Sequence, residues 1–467
     1  MSTKIYYTMN KKNTSVGIWG YGIVGKAAVN YFLLQEYQVS VMDRRELSVD
    51  EYTYLKKRNV LVYHDNEKQN FFTIHDILFS SPGIQIMPYY ALYKNKWIHE
   101  LDIFGTYFKP PIVAITGSVG KTSCTHIISS LLNHTGLCIA VGGNIGIATF
   151  DLLQQQNGID YGIIEVSSFQ LEHCLSFAPY LAIITNIYPN HLDRHGTEES
   201  YFSAKSSILA RQQKNTYSLV PWHLKMMFPI AHDNHHRSYF SSHKPHQQWL
   251  QELQPTESVY YWDNKQIYRY HSGIAIAIFS YDPLHCVFSS FDENILIVIA
   301  ACDILKIKVN IAFSANISIT LPEHRFEYVT ERNGVTFYND SKATTTNSTL
   351  AAVDRLLVNR TYKRLHLFIG GLSKGVDRSS FIDQLKDKVD FIYCFGAEAD
   401  QLYAMSIQYA ISAQYFTTLD SAFDYCMQNA QPGDCILLSP AGSSYDLYEN
   451  YEKRGEHFKK LIAHSLF

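Results

Sequence analysis

The sequence predicts an α/β fold in three domains, each built on a mostly parallel sheet. At 467 residues the chain is too long for one ordinary hydrophobic core. Short apolar segments alternate with helix-like runs along most of its length, which is typical of parallel sheets. Glycine-rich turns follow several of these segments, at the sheet edge where such folds bind ligands. We place the domains at residues 1–108, 109–321 and 322–467.

The first segment contains a glycine-rich turn between a strand and a helix. Gly20-Tyr21-Gly22-Ile23-Val24-Gly25 has the GxGxxG pattern, and the following strand ends at Asp43. This βαβ unit predicts a Rossmann-like domain. In dinucleotide enzymes an acidic residue about twenty positions after the turn binds a ribose, so an NAD-dependent dehydrogenase is one open interpretation. The segment ends near Phe108, after the turn Ser81-Pro82-Gly83-Ile84.

The second segment carries a phosphate-binding loop, Gly117-Ser118-Val119-Gly120-Lys121-Thr122, between an apolar run at 111–115 and a helix-like run at 122–132. Unpaired backbone N–H groups at a helix N-terminus favour phosphate. Lys121 can reach terminal phosphates and the Thr122 hydroxyl can bind Mg²⁺. The loop predicts a P-loop ATPase-type domain. Its spacing is shorter than the full GxxxxGK[ST] pattern, so the loop alone leaves the reaction open.

Polar residues follow the next predicted strands at 138–141, 161–166 and 181–185. Glu165 ends one strand beside the phosphate loop, where a carboxylate suits Mg²⁺, although a lone glutamate is equally often a salt-bridge or capping residue. His191 and Lys205 come later, and taken singly each is more often structural or solvated. From Gln212 to about Phe291 no periodicity is clear. We assign that stretch no function and expect solvated loops for His232, His235, His236, His243 and His246.

The third segment repeats the strand and helix alternation. The residues predicted as strands are 335–338, 365–369, 391–395 and 435–438. Glycine turns at 370–371 and 440–442 come directly after two of them, where binding loops belong. The segment therefore predicts a second Rossmann-like α/β domain.

Composition excludes several classes of protein. A formal charge of −3 lacks the basic excess of nucleic-acid-binding proteins. No apolar stretch is long enough to cross a bilayer, and the polar start lacks a signal-peptide core. The eight cysteines are scattered singly, which favours reduced thiols over disulfides or zinc. We expect a cytoplasmic monomer that binds neither nucleic acid nor membrane.

These motifs, in this order, resemble the Mur ligases, the ATP-dependent amino-acid-adding enzymes of peptidoglycan synthesis. The resemblance spans nearly the whole chain. Besides the phosphate loop, it rests on the segments 81–84, 142–146, 165–172, 324–327, 339–344, 439–441 and 454–458. Within the family, the chain looks most like the members that add D-glutamate.

The resemblance implies a reaction and its cofactors. ATP would phosphorylate the carboxylate of UDP-N-acetylmuramoyl-L-alanine, and the amine of D-glutamate would attack the acyl phosphate to give an amide, ADP and phosphate. It implies ATP, two Mg²⁺ ions and CO₂ bound as a carbamate on Lys205. Sister ligases, including the folylpolyglutamate type, and a nucleotide-binding homologue that has lost catalysis stay open as alternatives.

The resemblance also assigns roles to individual residues. The catalytic residues are Lys121, His191 and Lys205. ATP is assigned to Gly117, Ser118, Val119, Gly120, Lys121, Thr122, Ser123, Asn294, Arg325 and Asp340. The first metal is assigned to Thr122 and Glu165, and the second to His191 and Lys205. The uridine substrate is assigned to Gly22, Ile23, Asp43, Arg44, Ser81, Gly83, Asn144, Ser167 and Gln170. D-glutamate is assigned to Thr344, Lys374, Ser444, Tyr445 and Tyr451.

Several positions depart from the family pattern. Val119 replaces an asparagine of the phosphate loop, Asn190 replaces an aspartate before His191, and Thr345 replaces an asparagine. Ser290 and Phe291 stand where the family has a histidine and an asparagine. We expect these departures to affect nucleotide affinity and rate more than the type of reaction.

Overall fold

The computed structural model describes residues 11–87, 89–228, 235–280, 292–308, 322–358 and 360–465. Three sheets are each formed by one consecutive part of the chain, and most neighbouring strands in them are parallel. The α/β fold class predicted from the sequence is therefore confirmed. Single turns of 3₁₀ helix lie at Lys11–Asn13, Asp65–Glu67 and Ser207–Leu209, with a longer one at Trp222–Met227.

The first sheet has five parallel strands in the order β3-β2-β1-β4-β5. Its strands are β1 Ser15–Trp19, β2 Gln38–Asp43, β3 Leu61–His64, β4 Ile77–Ser80 and β5 Trp97–Ile98. The accompanying helices are α1 Ile23–Leu34, α2 Val49–Lys56, α3 Lys68–Ile74, α4 Tyr89–Leu92 and α5 Glu100–Tyr107. The glycine-rich turn joins β1 to α1, as its sequence predicts.

The central sheet has nine strands in the order β14-β13-β12-β11-β10-β9-β6-β8-β7. They are β6 Ile112–Thr116, β7 Ile139–Gly143, β8 Tyr161–Glu165, β9 Leu181–Ile184, β10 Tyr217–Pro221, β11 His236–Ser241, β12 Glu257–Asp263, β13 Gln266–His271 and β14 Ile274–Ser280. The helices are α6 Lys121–His134, α7 Thr149–Gln154, α8 Ser168–Leu171, α9 Leu192–His195, α10 Glu198–Ser206, α11 Gln247–Gln251 and α12 Asp292–Ile304. All five residues of β6 are buried because the strand lies inside this sheet.

The third sheet has six strands in the order β15-β16-β20-β17-β18-β19, and only the β15–β16 pair is antiparallel. The strands are β15 Glu327–Arg332, β16 Val335–Asn339, β17 Leu365–Gly370, β18 Phe391–Phe395, β19 Ala413–Phe416 and β20 Cys435–Leu438. The helices are α13 Thr346–Val358, α14 Ser379–Leu385, α15 Ala399–Gln408, α16 Leu419–Asn429 and α17 Tyr451–His464.

The stretch after Gln212 differs from the prediction. It contains five strands, β10 to β14, and the last three form an antiparallel meander at the sheet edge. The expectation of a solvated loop was wrong for His235, which is buried and lies 2.9 Å from the Ser218 hydroxyl, and for His236, which belongs to β11. His243 and His246 are exposed, as expected. His232 lies outside the described residues.

The predicted domain boundaries, at residues 108 and 321, stay predictions, and residue 321 lies outside the described ranges. Ser290 and Phe291, which depart from the family pattern, also lie outside them. None of the helices within the described ranges combines the length and apolar character that a membrane span requires.

Candidate active site

The phosphate loop connects β6 to α6, as the sequence predicts. Gly117 and Gly120 have positive φ angles of 143° and 86°, which side-chain-bearing residues rarely adopt. A Cβ added to Gly117 would lie 1.9 Å from the Thr185 hydroxyl oxygen, and one added to Gly120 would lie 2.4 Å from Asn294 Oδ1. Both glycines are therefore required by backbone angle and by space.

Residues that follow β9 fix the phosphate loop by hydrogen bonds. The Val119 backbone N–H donates to Asn186 Oδ1 at 2.8 Å, and the Thr185 hydroxyl donates to the Val119 carbonyl at 2.6 Å. The Ser118 hydroxyl donates to the Tyr188 carbonyl at 2.9 Å. The backbone of Val119 is thus fixed by Thr185 and Asn186 rather than by a side-chain amide of its own.

Two lysines converge on this loop, Lys121, which is half-buried, and Lys205, which is buried. Lys121 Nζ and Lys205 Nζ both donate to the Gly117 carbonyl, at 2.7 and 2.8 Å. Burial lowers the pKa of both amines, and the nearby charge of Lys121 lowers the pKa of Lys205 further. The structure therefore brings together the two lysines that the sequence singled out, although they lie 84 positions apart in the chain.

A carboxylate faces the start of α6. Glu165, at the end of β8, is buried; it accepts a hydrogen bond from the Thr122 hydroxyl at 2.5 Å and another from Asn144 Nδ2 at 2.8 Å. The parallel pairing of β6 with β8 places the ends of the two strands side by side. Thr122, Asn144 and Glu165 therefore form one polar cluster beside the phosphate loop.

His191 lies at the N-terminus of α9. It is a non-glycine residue in the left-handed region, with φ of 54°. Burial lowers the pKa of its imidazole to about 2, helped by the charges of Lys374, Lys121 and Lys205. The ring is therefore neutral at physiological pH and able to bind a metal ion through nitrogen. Asn190 Oδ1 accepts the His191 backbone N–H at 3.0 Å.

The third sheet contributes residues to the same place. Arg325, two residues before β15, lies close enough to Lys121 and to Glu165 for their charges to interact. Asp340 accepts hydrogen bonds from the Phe326 backbone N–H at 3.0 Å and from the Ser439 hydroxyl at 2.8 Å. Burial raises the pKa of Asp340 to about 7.

Lys374 extends from the turn after β17 toward the central sheet. Its Nζ lies 3.5 Å from the Thr344 hydroxyl oxygen, and burial together with the charge of Lys121 lowers its pKa to about 8. A Cβ added to the next residue, Gly375, would be 3.5 Å from the Asp193 backbone nitrogen. The structure therefore brings Thr344 and Lys374 together beside α9.

The other predicted D-glutamate residues are placed differently. Ser444 is buried, whereas the Tyr445 side chain is 74% exposed, and no contact brings it to Lys374 within the part of the chain that the structure describes. The ring of Tyr451 lies 3.4 Å from Lys342 Nζ, which is a cation–π contact. Tyr451 therefore contacts Lys342 rather than Lys374 or Thr344 among the described residues.

In the first domain, Asp43 supports the glycine-rich turn itself. Its carboxylate accepts the backbone N–H groups of Tyr21 at 2.5 Å and Arg45 at 3.0 Å. The predicted residue Arg44 is exposed. Sequence reasoning missed Arg45, whose guanidinium donates to the Tyr21 carbonyl and to Glu51. Arg45, not Arg44, lines a cavity of about 320 Å³ next to Asp43.

The remaining predicted substrate residues have structural partners. The Ser81 hydroxyl donates to the Gly20 carbonyl at 2.8 Å. Ser167 and Gln170 form a capping box at the start of α8, and Gln170 Nε2 donates to buried Glu100 at 3.0 Å. The Ser-x-x-Gln spacing could have predicted this box. Gly22 is the N-cap of α1, and the Ile23 side chain that follows it is 74% exposed. The Gly83 carbonyl accepts a hydrogen bond from Arg194.

Comparison with known proteins identifies the family. The chain matches the Mur ligase MurD-like N-terminal domain over residues 14–91, the Mur ligase middle domain over 115–301 and the Mur ligase glutamate ligase domain over 324–442. A UDP-N-acetylmuramoylalanine–D-glutamate ligase of Natranaerobius thermophilus is 32% identical, covering 95% of this chain and 97% of that protein.

The chain belongs to the Mur ligase family.

Other Mur ligases agree in sequence and in fold. The UDP-N-acetylmuramoylalanine–D-glutamate ligase of Pasteurella multocida is 30% identical, with 96% of this chain and 98% of that protein covered. The MurF ligase of Thermotoga maritima, solved with ADP, has a TM-score of 0.56 at 16% identity, covering 98% of each chain. The UDP-N-acetylmuramate-alanine ligase MurC of the same organism also gives 0.56, at 15% identity, with 97% of this chain and 100% of that chain covered. At such low identity, these two structures support the shared fold alone.

Proposed function

We propose that this Mur ligase joins D-glutamate to UDP-N-acetylmuramoyl-L-alanine, using ATP and an acyl-phosphate intermediate, in peptidoglycan precursor synthesis. The relatives with 30% identity or more carry that activity in their names and align over nearly the whole chain. The structural observation that supports the proposal is the meeting of Lys121, Lys205 and Lys374 around one loop and one buried carboxylate. Such a concentration of positive charge suits several anionic reactants at once.

The charge pattern explains how these residues would act. Phosphorylating a carboxylate brings the terminal phosphate of ATP onto another anion, so the site must supply positive charge before the reaction starts. Lys121 projects from the phosphate loop, and Arg325 adds a second cation from the third sheet. Because both are half-buried, their attraction for phosphate oxygens is less screened than it would be in open water. We propose that these two groups orient ATP and stabilise the charge transferred with the phosphoryl group.

The polar cluster beside the loop fits a magnesium ion. The Thr122 hydroxyl and the Glu165 carboxylate are hard oxygen donors 2.5 Å apart, and Glu165 is buried next to cationic side chains. We propose that Thr122 and Glu165 hold the first ion. A bound magnesium would supply positive charge to the phosphate oxygens.

A second ion would need one change to the residues present. The neutral His191 imidazole is a suitable ligand, but the Lys205 amine offers no oxygen. The low pKa of Lys205 keeps part of the amine neutral, and a neutral amine nitrogen can attack the carbon of CO₂ and lose a proton to give an anionic carbamate. We propose that Lys205 carries this carbamate, which would give the second site its oxygen ligand.

The acceptor amino acid would bind on the side of the third sheet. Lys374 and the Thr344 hydroxyl can together bind a carboxylate by charge-assisted hydrogen bonds. D-glutamate has two carboxylates, and the buried Ser444 lies in the neighbouring loop after β20. We propose that Thr344, Lys374 and Ser444 hold D-glutamate with its amine toward the acyl phosphate.

The first domain would hold the uridine diphosphate at the turn between β1 and α1. The backbone of this turn is already positioned by Asp43 and Ser81. The adjacent cavity, lined by Arg45, is where we propose the uracil end to lie. Asp43 accepts hydrogen bonds from the turn's backbone, so the acidic residue that suggested a dinucleotide has a structural role.

We also propose a cytoplasmic location, a monomeric state and the three domain boundaries given by the sequence.

An omission experiment tests the reaction. Purified protein with ATP, Mg²⁺, UDP-N-acetylmuramoyl-L-alanine and D-glutamate should release phosphate and form the ligated nucleotide, detected by mass, only when all four are present. Product with another amino acid in preference to D-glutamate would indicate a sister ligase. Nucleotide binding without any amide product would indicate a homologue that has lost catalysis. Protection from thermal unfolding by NAD(H), but not by uridine nucleotides, would favour the oxidoreductase interpretation.

A further inference from the structure

A short turn between β18 and α15 contacts both loops that carry the proposed D-glutamate residues. This turn consists of Gly396, Ala397 and Glu398, and we call it the 396–398 turn. Its Glu398 Oε1 accepts the Ser373 backbone N–H at 2.9 Å, directly before Lys374. Its Ala397 backbone N–H donates to Asp446 Oδ2 at 3.0 Å, two residues after Ser444. The turn itself contributes none of the residues assigned to substrate.

The approach of Asp446 depends on Gly396. That glycine has a φ angle of 86°, and an added Cβ would lie 2.3 Å from Asp446 Oδ2. Any other residue would force the Asp446 carboxylate away from the Ala397 N–H. The contact between the turn and the loop after β20 is therefore a close fit.

A buried arginine completes the connection. Arg378 is 3% exposed; its Nη2 donates to the Gly371 carbonyl at 3.1 Å, and its Nη1 lies 3.6 Å from Glu398 Oε2. Nη1 has no hydrogen-bond partner among the described residues, and the nearby carboxylates of Glu398 and Asp446 offset the charge of the guanidinium. A Cβ added to Gly442 would lie 2.4 Å from Arg378 Nη2, so the guanidinium also packs against the loop after β20.

The two loops are also joined directly. Leu372 and Ser443 exchange backbone hydrogen bonds, both of 3.0 Å. Lys374 itself has a positive φ of 57°, an unfavourable angle for a lysine that surrounding contacts must maintain. The bonds to Gly371 and Ser373 restrain the residues on the N-terminal side of Lys374, where that angle has to be kept.

We propose that Glu398, Arg378 and Asp446 are positioning residues for the amino-acid substrate: they hold the Lys374 loop and the Ser444 loop at the spacing that D-glutamate requires. The inference rests on the proposed function, since it concerns the same substrate. These three charged residues contact the loops that carry Lys374 and Ser444, without belonging to the residues proposed to touch the substrate.

The test compares Glu398→Gln with Glu398→Ala. Glutamine keeps an oxygen for the Ser373 N–H but loses the charge facing Arg378, whereas alanine loses both. We expect the KM for D-glutamate to rise about 10-fold in Glu398→Gln and about 100-fold in Glu398→Ala, because small displacements of a binding group are costly. The KM values for ATP and for UDP-N-acetylmuramoyl-L-alanine should change less than 3-fold.

Two further variants separate positioning from stability. Asp354→Asn is the matched control, because it breaks an exposed ion pair of the same sheet unit, Lys388–Asp354 at 2.7 Å, away from both loops. It should leave all three KM values unchanged. Arg378→Gln combined with Glu398→Gln should be no worse than Arg378→Gln alone, since the ion pair that Glu398→Gln removes is already lost in that variant.

The outcomes distinguish this inference from the proposed function. Wild-type protein that forms product while Glu398→Ala keeps its KM for D-glutamate would overturn the inference alone. A uniform loss of activity in Glu398→Gln and Asp354→Asn, with all KM values unchanged, would also overturn it, because it would show a structural role only. Wild-type protein that forms no product with D-glutamate would overturn the proposed function, and this inference with it.

Discussion

Asp340 gives the sharpest test of how the site trades stability for function. Its carboxylate is 7% exposed, and burial raises its pKa from 3.8 to about 7. Between those two pH values the folded protein holds a proton that the unfolded chain has released. The stability contribution of this group is therefore fully present below about pH 4 and is lost as the pH rises to about 7.

The structure gives the size of the effect. A rise from 3.8 to about 7 corresponds to about 4 kcal/mol of lost stability at pH 8, but to only about 2 kcal/mol at pH 5. Asp340→Asn removes the charge and keeps the shape. Its Oδ1 can still accept the Phe326 N–H, and its amide can donate to the Ser439 hydroxyl. We expect the variant to gain about 2 kcal/mol more stability at pH 8 than at pH 5.

Urea unfolding at the two pH values measures this difference. The same variant should raise the KM for ATP, because Asp340 is a proposed nucleotide contact, so activity should fall while stability rises. An equal change in the free energy of unfolding at pH 5 and pH 8 would refute the reasoning. So would a variant less stable than the wild type at pH 8.

Four other changes test the site. Lys121→Ala should abolish phosphoryl transfer, measured as ADP release, without lowering the thermal midpoint, because it removes a half-buried cation that lies near the cation of Lys205; substantial residual turnover would contradict its role. Lys205→Ala should lose activity that acetate or formate partly restores, and full activity without either would remove Lys205 from the metal site. Glu165→Gln should raise the Mg²⁺ concentration needed for half-maximal rate at least 10-fold, whereas an unchanged requirement would exclude it as a ligand. Gly117→Ala should lose ATP binding in calorimetry, since its Cβ would collide with Thr185, and wild-type affinity would show that the loop can rearrange.

Much of the site could be predicted from the sequence because its signals are local. Gly117 to Thr122 form a motif of consecutive residues, and Glu165 directly ends an apolar strand. Four strands of the third sheet, β16, β17, β18 and β20, were also predicted, since each is a short apolar run followed by a turn. The strands β15 and β19 were missed, because polar residues interrupt their apolar character. Five strands after Gln212 were missed, because their aromatic and histidine-rich sequences hide the alternation that marks a strand.

Other features depend on contacts between distant residues. Arg45 was overlooked in favour of Arg44, since adjacent residues with the same side chain differ only in where the backbone points them. Arg378, Glu398 and Asp446, which contact the loops of Lys374 and Ser444, belong to no motif, and their contacts join distant positions in the chain.

The sequence by itself determined the α/β class, the phosphate loop and the family. Strand periodicity, glycine spacing and motif order can all be read along the chain without knowing how it packs. Only the tertiary structure decided that Lys121 and Lys205 share the Gly117 carbonyl, and that Lys374 faces His191 from another sheet. Their lowered pKa values have the same origin. A pKa depends on burial and on nearby charge, and both exist only once separate parts of the chain have packed together.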